Sequence, residues 1–317
     1  MIAKFFGLLK KPLLRTILVF LITIIIFFIL FKNIDIFSVY SILVNSDKSL
    51  LLISFVISLI VVIIVAKRWQ LILKTIEFDI SFKDASCIIM GTYPFALIAP
   101  SFSSDFFRAI PLREKIRISK VIGTSITERF FDFLILFIFL ILGMALTGNF
   151  QFMTLALIFL CLLTITYFLI KRHIRLPIGE TWNERINNIF LSIRMMGSEK
   201  HTLSPILFYS FLLWGVSIIQ TMILFDAVGL TIPVFDTMAN IPIAIFIGQI
   251  PITFGGAGTR DAAIIFLFSA FASPQKLLAV GILYTLMRCW IMAIIGLPFL
   301  KSIGLHNVFF SVKENSD

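Results

Sequence analysis

The chain has few charged side chains for its length. Only 14% of its 317 residues are Asp, Glu, Lys or Arg, whereas 59% are hydrophobic. A soluble domain of this size has too little interior to bury that much apolar surface. The composition therefore excludes a soluble protein, and several apolar runs of roughly 17–25 residues indicate helices that span a membrane.

Cysteine and histidine are scarce, with three of each. Cys87, Cys161 and Cys289 all lie in apolar stretches and lack metal-site spacing, so we expect small core residues and no disulfide. The three histidines lie far apart in polar segments. We therefore expect no metal ion, no cofactor and no histidine-based catalytic group.

Strict alternation of polar and apolar residues is also missing, which argues against a membrane β-barrel. We predict an all-α, polytopic membrane protein that forms a single integral membrane domain over residues 1–317. Its full spans are expected near 14–31, 50–66, 121–146, 152–170, 205–225 and 277–300. No small-residue cleavage site follows the first apolar run, so we interpret it as a retained span.

Basic residues are distributed unevenly between the loops. Segments 1–16, 67–84, 102–120, 171–204 and 301–317 hold 21 of the 27 Lys and Arg residues, whereas the intervening loops hold three. By the positive-inside rule, both termini are cytoplasmic and the protein is a multi-pass protein of the cell membrane. Because anionic headgroups explain the basic excess, we expect no nucleic-acid partner.

Two apolar stretches, 85–111 and 237–272, are interrupted by proline, serine or glycine. The loop assignment requires each to leave the membrane on the side that it entered, so we predict two re-entrant or broken helical hairpins. The first half, 14–146, and the second half, 205–300, would form an inverted repeat. Apolar residues at helical spacing within 171–204 predict a cytoplasmic amphipathic linker helix between them.

Eight charged side chains fall inside the predicted spans and hairpins. One charge at bilayer depth costs ~2.5–3.5 kcal/mol, so the eight must pair or line a polar cavity. Glu128 and Asp132 are four residues apart and share one helix face. The full set is Asp105, Arg108, Glu128, Arg129, Asp132, Arg260, Asp261 and Arg288.

Two interpretations of this charge set are open. It is either a structural ion-pair network, or a cavity whose arginines bind a phosphate-bearing headgroup, because the guanidinium fork matches phosphate geometry. In the second case, Arg108 and Arg260 would be paired phosphate contacts of one central cavity. Arg129 and Arg288 would extend that cavity, and the four carboxylates would hold the arginines when no lipid is bound.

A glycine-rich stretch, QIPITFGGAGTRDAAI at 249–264, interrupts the second hairpin. The glycines allow a sharp bend, and a helix that starts near Thr259, a candidate N-cap, would direct N–H groups into the break. We predict a cavity-lining turn that can receive an anion, and no P-loop, because no Gly-Lys-Ser/Thr follows. The backbone residues of the two breaks are Pro100, Pro251, Gly255, Gly256, Gly258 and Thr259.

Together these motifs resemble the lysylphosphatidylglycerol synthase transmembrane family, also called flippase-like membrane proteins. The matching residues are Arg68-Trp69, Pro100 with Ser104-Asp105 and Arg108, Glu128-Arg129 with Asp132, Pro251 with the glycine turn and Arg260-Asp261, and Arg288. The resemblance implies a protein that binds and moves an anionic phospholipid, an aminoacyl-phospholipid or a polyprenyl-phosphate glycolipid between leaflets. Residues 301–317 are too few for the soluble aminoacyltransferase domain of the lysyl-lipid synthases, so it implies the stand-alone form.

Two other functions stay open. One is a membrane-embedded, lipid-linked glycosyl or phosphoryl transferase that uses Asp105, Glu128, Asp132 or Asp261. The other is a scaffold whose partner is a lipid synthase or glycosyltransferase. In every case the expected ligands are membrane lipids with anionic headgroups, and transport without a nucleotide-binding motif would be downhill or ion-coupled.

Overall fold

The computed structural model describes residues 20–304, except 27, 29–31, 33, 98, 100, 173–179, 197–199, 251 and 254. Pro100, Pro251 and much of the predicted span 14–31 lie outside these residues, although 20–26 are helical. The α-helices that follow are α1 (Ile36–Asn45), α2 (Lys48–Lys74), α3 (Phe82–Thr92), α4 (Ile118–Thr147), α5 (Met153–Lys171), α6 (Glu180–Met196), α7 (Lys200–Ala227), α8 (Val234–Gln249), α9 (Thr259–Leu267), α10 (Pro274–Thr285) and α11 (Ile291–Gly296). Tyr93–Leu97, Ser101–Ala109 and Leu297–Ile303 are 3₁₀ segments, and Leu286–Trp290 forms a π turn.

Among the residues that the structure describes, five helical stretches are long and apolar enough to cross a membrane. They are α2, α4, α5, residues 203–227 of α7, and the continuous stretch 274–303 that runs from α10 to the last 3₁₀ segment. Five of the predicted spans are thereby confirmed, and every end except the C-terminal end of α2 is close to its predicted place. The protein is a polytopic helical membrane protein.

The outermost of these helices is α5, which buries only Ala156 and Ile170. The expectation that Cys161 is a core residue is wrong, because it lies on the exposed surface of this helix. An apolar side chain on such a surface is solvated by lipid, so hydropathy alone does not distinguish it from a core position. The three cysteines are free.

The second span extends further than its hydropathy indicates. Its apolar run ends at residue 66, yet α2 continues to Lys74. Arg68 and Trp69 are 1% and 0% exposed, so the assignment of Arg68 to a cytoplasmic loop is wrong. The helix remains buried there because acidic side chains of α4 compensate the Arg68 charge.

Both interrupted stretches fold as short helices that pack together. In the first, α3 begins at Ser81, whose hydroxyl accepts the Asp84 N–H at 3.0 Å, and the 3₁₀ segments follow. In the second, α8 packs against α9 and also against α4. These helices position the charged residues of both stretches next to the long spans, and the inverted repeat stays a prediction.

The predicted linker contains the amphipathic helix α6. It packs across α4 so closely that a Cβ atom on Gly123 would lie 2.2 Å from the carbonyl oxygen of Ile189. Ile193 is 3% exposed. At least part of the apolar face of α6 is therefore covered by protein, which fixes the helix against the first turns of α4.

Candidate functional site

A polar cavity lies between α2, α3, the first 3₁₀ segments, α4, α7 and the π turn. Its volume is about 150 Å³. A water molecule needs only ~10–15 Å³ by such a measure, so the cavity has room for a small polar group. Its charged lining residues are Arg68, Arg108, Arg129, Arg288, Asp105 and Asp132.

Arg68 joins α2 to α4 at the base of this cavity. Its Nη1 atom lies 2.5 Å from Asp132 Oδ1, and its Nη2 atom lies 3.4 Å from Glu128 Oε1. Ser210 and Trp214 of α7 complete the contacts, because Trp214 Nε1 donates to Asp132 Oδ1 at 2.9 Å and Arg68 donates to Ser210 Oγ at 3.2 Å. The helices α2, α4 and α7 thus meet at the buried side chain of Arg68 and its two carboxylate partners.

Asp105 connects the first hairpin to this network. Its two carboxylate oxygens lie 2.7 Å from Arg108 Nη2 and 2.6 Å from Arg129 Nη2. Arg108 also pairs with Glu128, and Arg129 Nη1 lies 3.0 Å from Asp132 Oδ2. The predicted pairing of these acids and arginines is therefore present, and it extends over α2, α4 and the hairpin.

The fourth arginine of the cavity, Arg288, is held differently. It lies in the π turn, and such turns are frequent at functional sites. It has no carboxylate partner within the part of the chain that the structure describes, and its Nη1 atom donates to Gln220 Oε1 at 3.3 Å. Gln220 is oriented by donating its amide N–H groups to Ser54 O and Ser58 Oγ, both at 2.8 Å.

The cavity network consequently has an excess of positive charge. Four arginines are gathered with three acids, Asp105, Glu128 and Asp132, which leaves a net charge of +1. In addition, the Nε atoms of Arg68, Arg108 and Arg129 are buried and hydrogen-bond to no protein atom among the described residues. The excess of positive charge is typical of a site for an anion. The Nε atom of Arg260, outside the cavity lining, is also unbonded among the described residues, so the Nε atoms do not by themselves distinguish the cavity.

The structure places Arg260 and Asp261 outside the lining of this cavity. They pair with each other, with Nη2 3.1 Å from Oδ1, and Arg260 also donates to Thr285. The Arg260 guanidinium lies 4.5 Å from the centre of the Tyr284 ring, which is 5.6 Å from the guanidinium of Arg288. The Tyr284 ring is thus near both guanidiniums, and Arg260 does not line the cavity that Arg108 lines. The role of Arg108 and Arg260 as paired phosphate contacts stays a prediction.

The glycine turn also differs in detail from its prediction. Gly258 is the N-cap of α9 and Thr259 is the first helical residue. The Gly258 N–H donates to Asp261 Oδ2 at 2.9 Å, and the Arg260 N–H donates to Gly256 O at 3.0 Å. These donors are therefore used within the turn, because the side chain of Asp261 folds back onto it.

Glycine is nevertheless required at Gly256. Its φ angle is +73°, and a Cβ atom would lie 2.4 Å from the carbonyl oxygen of Gly248. Gly255 lies beside the cavity wall, because its own Cβ would be 3.6 Å from Ala96 O. The turn supports the wall of the cavity from behind.

Sequence reasoning missed Arg68, Gln220 and Trp214 as site residues. Arg68 followed the apolar run and was assigned to a loop, although the apolar residues after it continue the helical spacing. Gln220 was detectable, because an amide in the middle of a long apolar span needs a buried partner. Nothing in the local sequence distinguishes Trp214 from a lipid-facing tryptophan.

Comparison with known proteins agrees with this architecture. Residues 16–296 match the model of the family described as "Lysylphosphatidylglycerol synthase TM region", so the chain belongs to that family. UPF0104 membrane protein MJ1595 of Methanocaldococcus jannaschii is 24% identical over 270 residues, which cover 76% of this chain and 80% of the relative. A UPF0104 membrane protein of Methanothermobacter thermautotrophicus is 31% identical over 114 residues, or 36% of this chain and 34% of the relative.

Proposed function

We propose that this member of the lysylphosphatidylglycerol synthase transmembrane family binds the phosphate of an anionic lipid in the arginine cavity and moves the lipid between leaflets. The observation that carries the proposal is the net charge of +1 that the described residues give the cavity network, in which Arg68, Arg108, Arg129 and Arg288 meet three acids. An unbalanced charge at membrane depth is costly, and a monoanionic phosphodiester removes it. The proposed ligand is therefore a phosphodiester lipid, which includes phospholipids and their aminoacyl derivatives.

Arg288 is the first contact proposed for the phosphate. It has room to accept a bidentate partner, since Gln220 engages only its Nη1 atom. Arg68, Arg108 and Arg129 offer further donors, because their Nη atoms become free once the paired carboxylates shift. Exchange of carboxylate for phosphate keeps the local charge nearly balanced throughout the movement of the lipid.

In this proposal, the short helices of the two hairpins are the elements that move. The first hairpin contributes Asp105 and Arg108 to the cavity, and the second reaches Tyr284 through Arg260, whose guanidinium lies 4.5 Å from the ring centre. Broken helices at a midplane site are the usual elements of alternating access. We further infer a cell-membrane location with both termini cytoplasmic, supported by the basic segments of the sequence, so that the two hairpins open to opposite sides.

Lipid exchange in proteoliposomes tests this function. The change is Arg288→Lys, which keeps the charge, strands no carboxylate and removes the bidentate fork. We expect leaflet exchange of fluorescent phosphatidylglycerol to fall about tenfold or more, the magnitude of one lost charged hydrogen bond. The fraction of exchanged label with time, followed by chemical quenching of the outer leaflet, measures this rate.

Arg172→Lys is the matched control, because Arg172 is exposed at the end of α5 and should tolerate the same change. Equal exchange in wild type, Arg288→Lys and the control would reduce the cavity charges to structural contacts. The lipids to be compared are phosphatidylglycerol, lysyl-phosphatidylglycerol and a polyprenyl-phosphate glycolipid. If vesicles with the wild-type protein exchange none of them between leaflets faster than protein-free vesicles do, transport is not the function. The same variants then go into a binding assay with these lipids.

A further inference from the structure

A second, basic groove lies at the start of α4, away from the cavity. It is formed by residues 113–122 and by α6, has a volume of about 660 Å³, and shares no lining residue with the cavity. Arg113, Arg117 and Arg185 line it together with one acid, Glu184. Its apolar lining residues are Ile118, Ile122, Ile186 and Ile189.

The groove owes its shape to the helix crossing at Gly123. Close contact between Gly123 and the backbone of Ile189 holds α6 against α4, and an ion pair between Arg117 and Glu184 connects the two walls. Arg113 and Arg117 are more than half exposed, with side chains 62% and 63% accessible. Unlike the cavity arginines, they are solvated and carry their charge without a buried counterion.

The groove lies near the end of a spanning helix, and this indicates which part of the bilayer surrounds it. The spanning helix α4 begins at Ile118, so its first turn lies at the depth of the lipid headgroups. A groove at this depth has a polar side that faces water and an apolar side that faces acyl chains. Its three lining arginines exceed by one the two acids beside them, Glu184 and Glu114, which lies 4.0 Å from Arg113. This excess favours a ligand with negative charge.

We propose that this groove binds one anionic phospholipid of the adjacent leaflet. The phosphate contacts Arg113 and Arg185, and the first part of an acyl chain packs on Ile122 and Ile186. A free anion would leave the isoleucines in contact with water, whereas a phospholipid satisfies both sides of the groove. The lipid stabilises the contact between α4 and α6 and does not itself pass through the cavity.

Depth-selective quenching tests this site. Cys87, Cys161 and Cys289 are first changed to serine. A single cysteine then replaces Ile126, one helical turn beyond Ile122, and this cysteine is labelled with a bimane fluorophore. The labelled protein is reconstituted in phosphatidylcholine vesicles that contain a minor fraction of brominated phosphatidylglycerol or of brominated phosphatidylcholine. We expect about fivefold stronger relative quenching by the anionic lipid at low salt, as for one basic contact or more at the surface.

Two controls separate this site from its alternatives. A fluorophore at Ile60, on the lipid-facing surface of α2, should show no such preference. The double change Arg113→Gln and Arg185→Gln should lower the preference at Ile126 to the Ile60 value, whereas Arg288→Lys should leave it unchanged. The assignment would be overturned if the wild-type preference at Ile126 equals that at Ile60, as expected if the groove binds a protein. It would also be overturned if the preference at Ile126 survives the double change.

Discussion

Arg288 and Arg68 line the same cavity but are held in different ways. Arg68 is fixed by two carboxylates, so its removal would leave Asp132 and Glu128 buried without a cation. Loss of one partner of a buried ion pair costs ~3–5 kcal/mol, and this makes Arg68 a poor residue for separating folding from function. Arg288 instead donates to the neutral side chain of Gln220. Replacement of the Gln220 amide nitrogen by an oxygen, in Gln220→Glu, would therefore change the charge of the cavity with almost no change of shape.

The change Gln220→Glu is expected to abolish lipid exchange while the protein stays folded. The new carboxylate would lie where Oε1 now accepts from Arg288 at 3.3 Å, so it would balance the excess charge of the cavity and compete with phosphate. The oxygen that replaces Nε2 would lie 2.8 Å from the carbonyl oxygen of Ser54 and would repel it, because a carboxylate cannot donate. This repulsion opposes the stability gained from the new ion pair, so the variant is expected to fold but to unfold at a lower temperature than wild type. Exchange of fluorescent phosphatidylglycerol and the thermal unfolding midpoint are the two measurements.

Gln70→Glu provides the matched control. Gln70 also accepts from a cation, Lys67 Nζ at 2.9 Å, and donates to a carbonyl, Ile80 O at 2.7 Å, but it lies outside the cavity. Its variant should exchange lipid at the wild-type rate. If Gln220→Glu exchanges lipid as fast as Gln70→Glu, the net charge of the cavity does not determine binding.

Among the secondary-structure elements, α10 shows how a spanning helix accommodates the second hairpin. Gly281 faces the Arg260–Asp261 pair, and a Cβ atom there would lie 2.6 Å from Asp261 Oδ1. The pair itself anchors α9, because Asp261 also accepts the Gly258 N–H at its start. A single absent methyl group therefore allows the hairpin to contact the helix behind the cavity.

Gly281→Ala is expected to destabilise the protein by about 2 kcal/mol, since overpacking against a buried ion pair outweighs the gain in helix propensity. Gly215→Ala, in the spanning helix α7, is the control: its Cβ would meet the nearest atom of Phe139 at an ordinary 3.7 Å. Thermal unfolding in detergent should therefore show a lower midpoint for Gly281→Ala and an unchanged or higher one for Gly215→Ala. Similar midpoints for the two variants would mean that the hairpin contact contributes little to stability.

The sequence predicted the long elements better than the site. Apolar runs located five spans, with every end but that of α2 close to its predicted place, because hydropathy and length decide whether a helix crosses the bilayer. The pairing of Asp105 with Arg108 agrees with their spacing of three residues, whereas the partners that Glu128 and Asp132 find on other elements depend on tertiary packing. Packing also decides that Arg260 lies outside the cavity lining that contains Arg108, because the two hairpins are distant in sequence.

At the scale of the whole molecule, backbone and side-chain contacts define two opposite ends. At one end, the Asp47 N–H donates to Ala227 O at 2.9 Å and Lys276 Nζ donates to Gly229 O at 3.3 Å. At the other end, Ser302 donates to Cys87 O at 3.0 Å and Arg194 donates to Ile170 O at 2.8 Å. The loops that the charge count assigned to one side of the membrane are thus close together in the structure.

The charge of these two ends predicts their orientation in the membrane. Burial of Arg68 and Arg108 removes two residues from the basic segments, but Arg113, Lys115 and Arg117 remain exposed at the same end. The asymmetry still favours a cytoplasmic position for that end, because translocation of clustered Lys and Arg is disfavoured. Single cysteines at Asn45 and Ser273, in the chain without native cysteines, should react with an impermeant maleimide in intact cells, whereas a cysteine at Lys115 should react only after permeabilisation. The reverse pattern would invert the protein and place the basic groove of α4 and α6 in the outer leaflet, where anionic lipid would have to be supplied by transport.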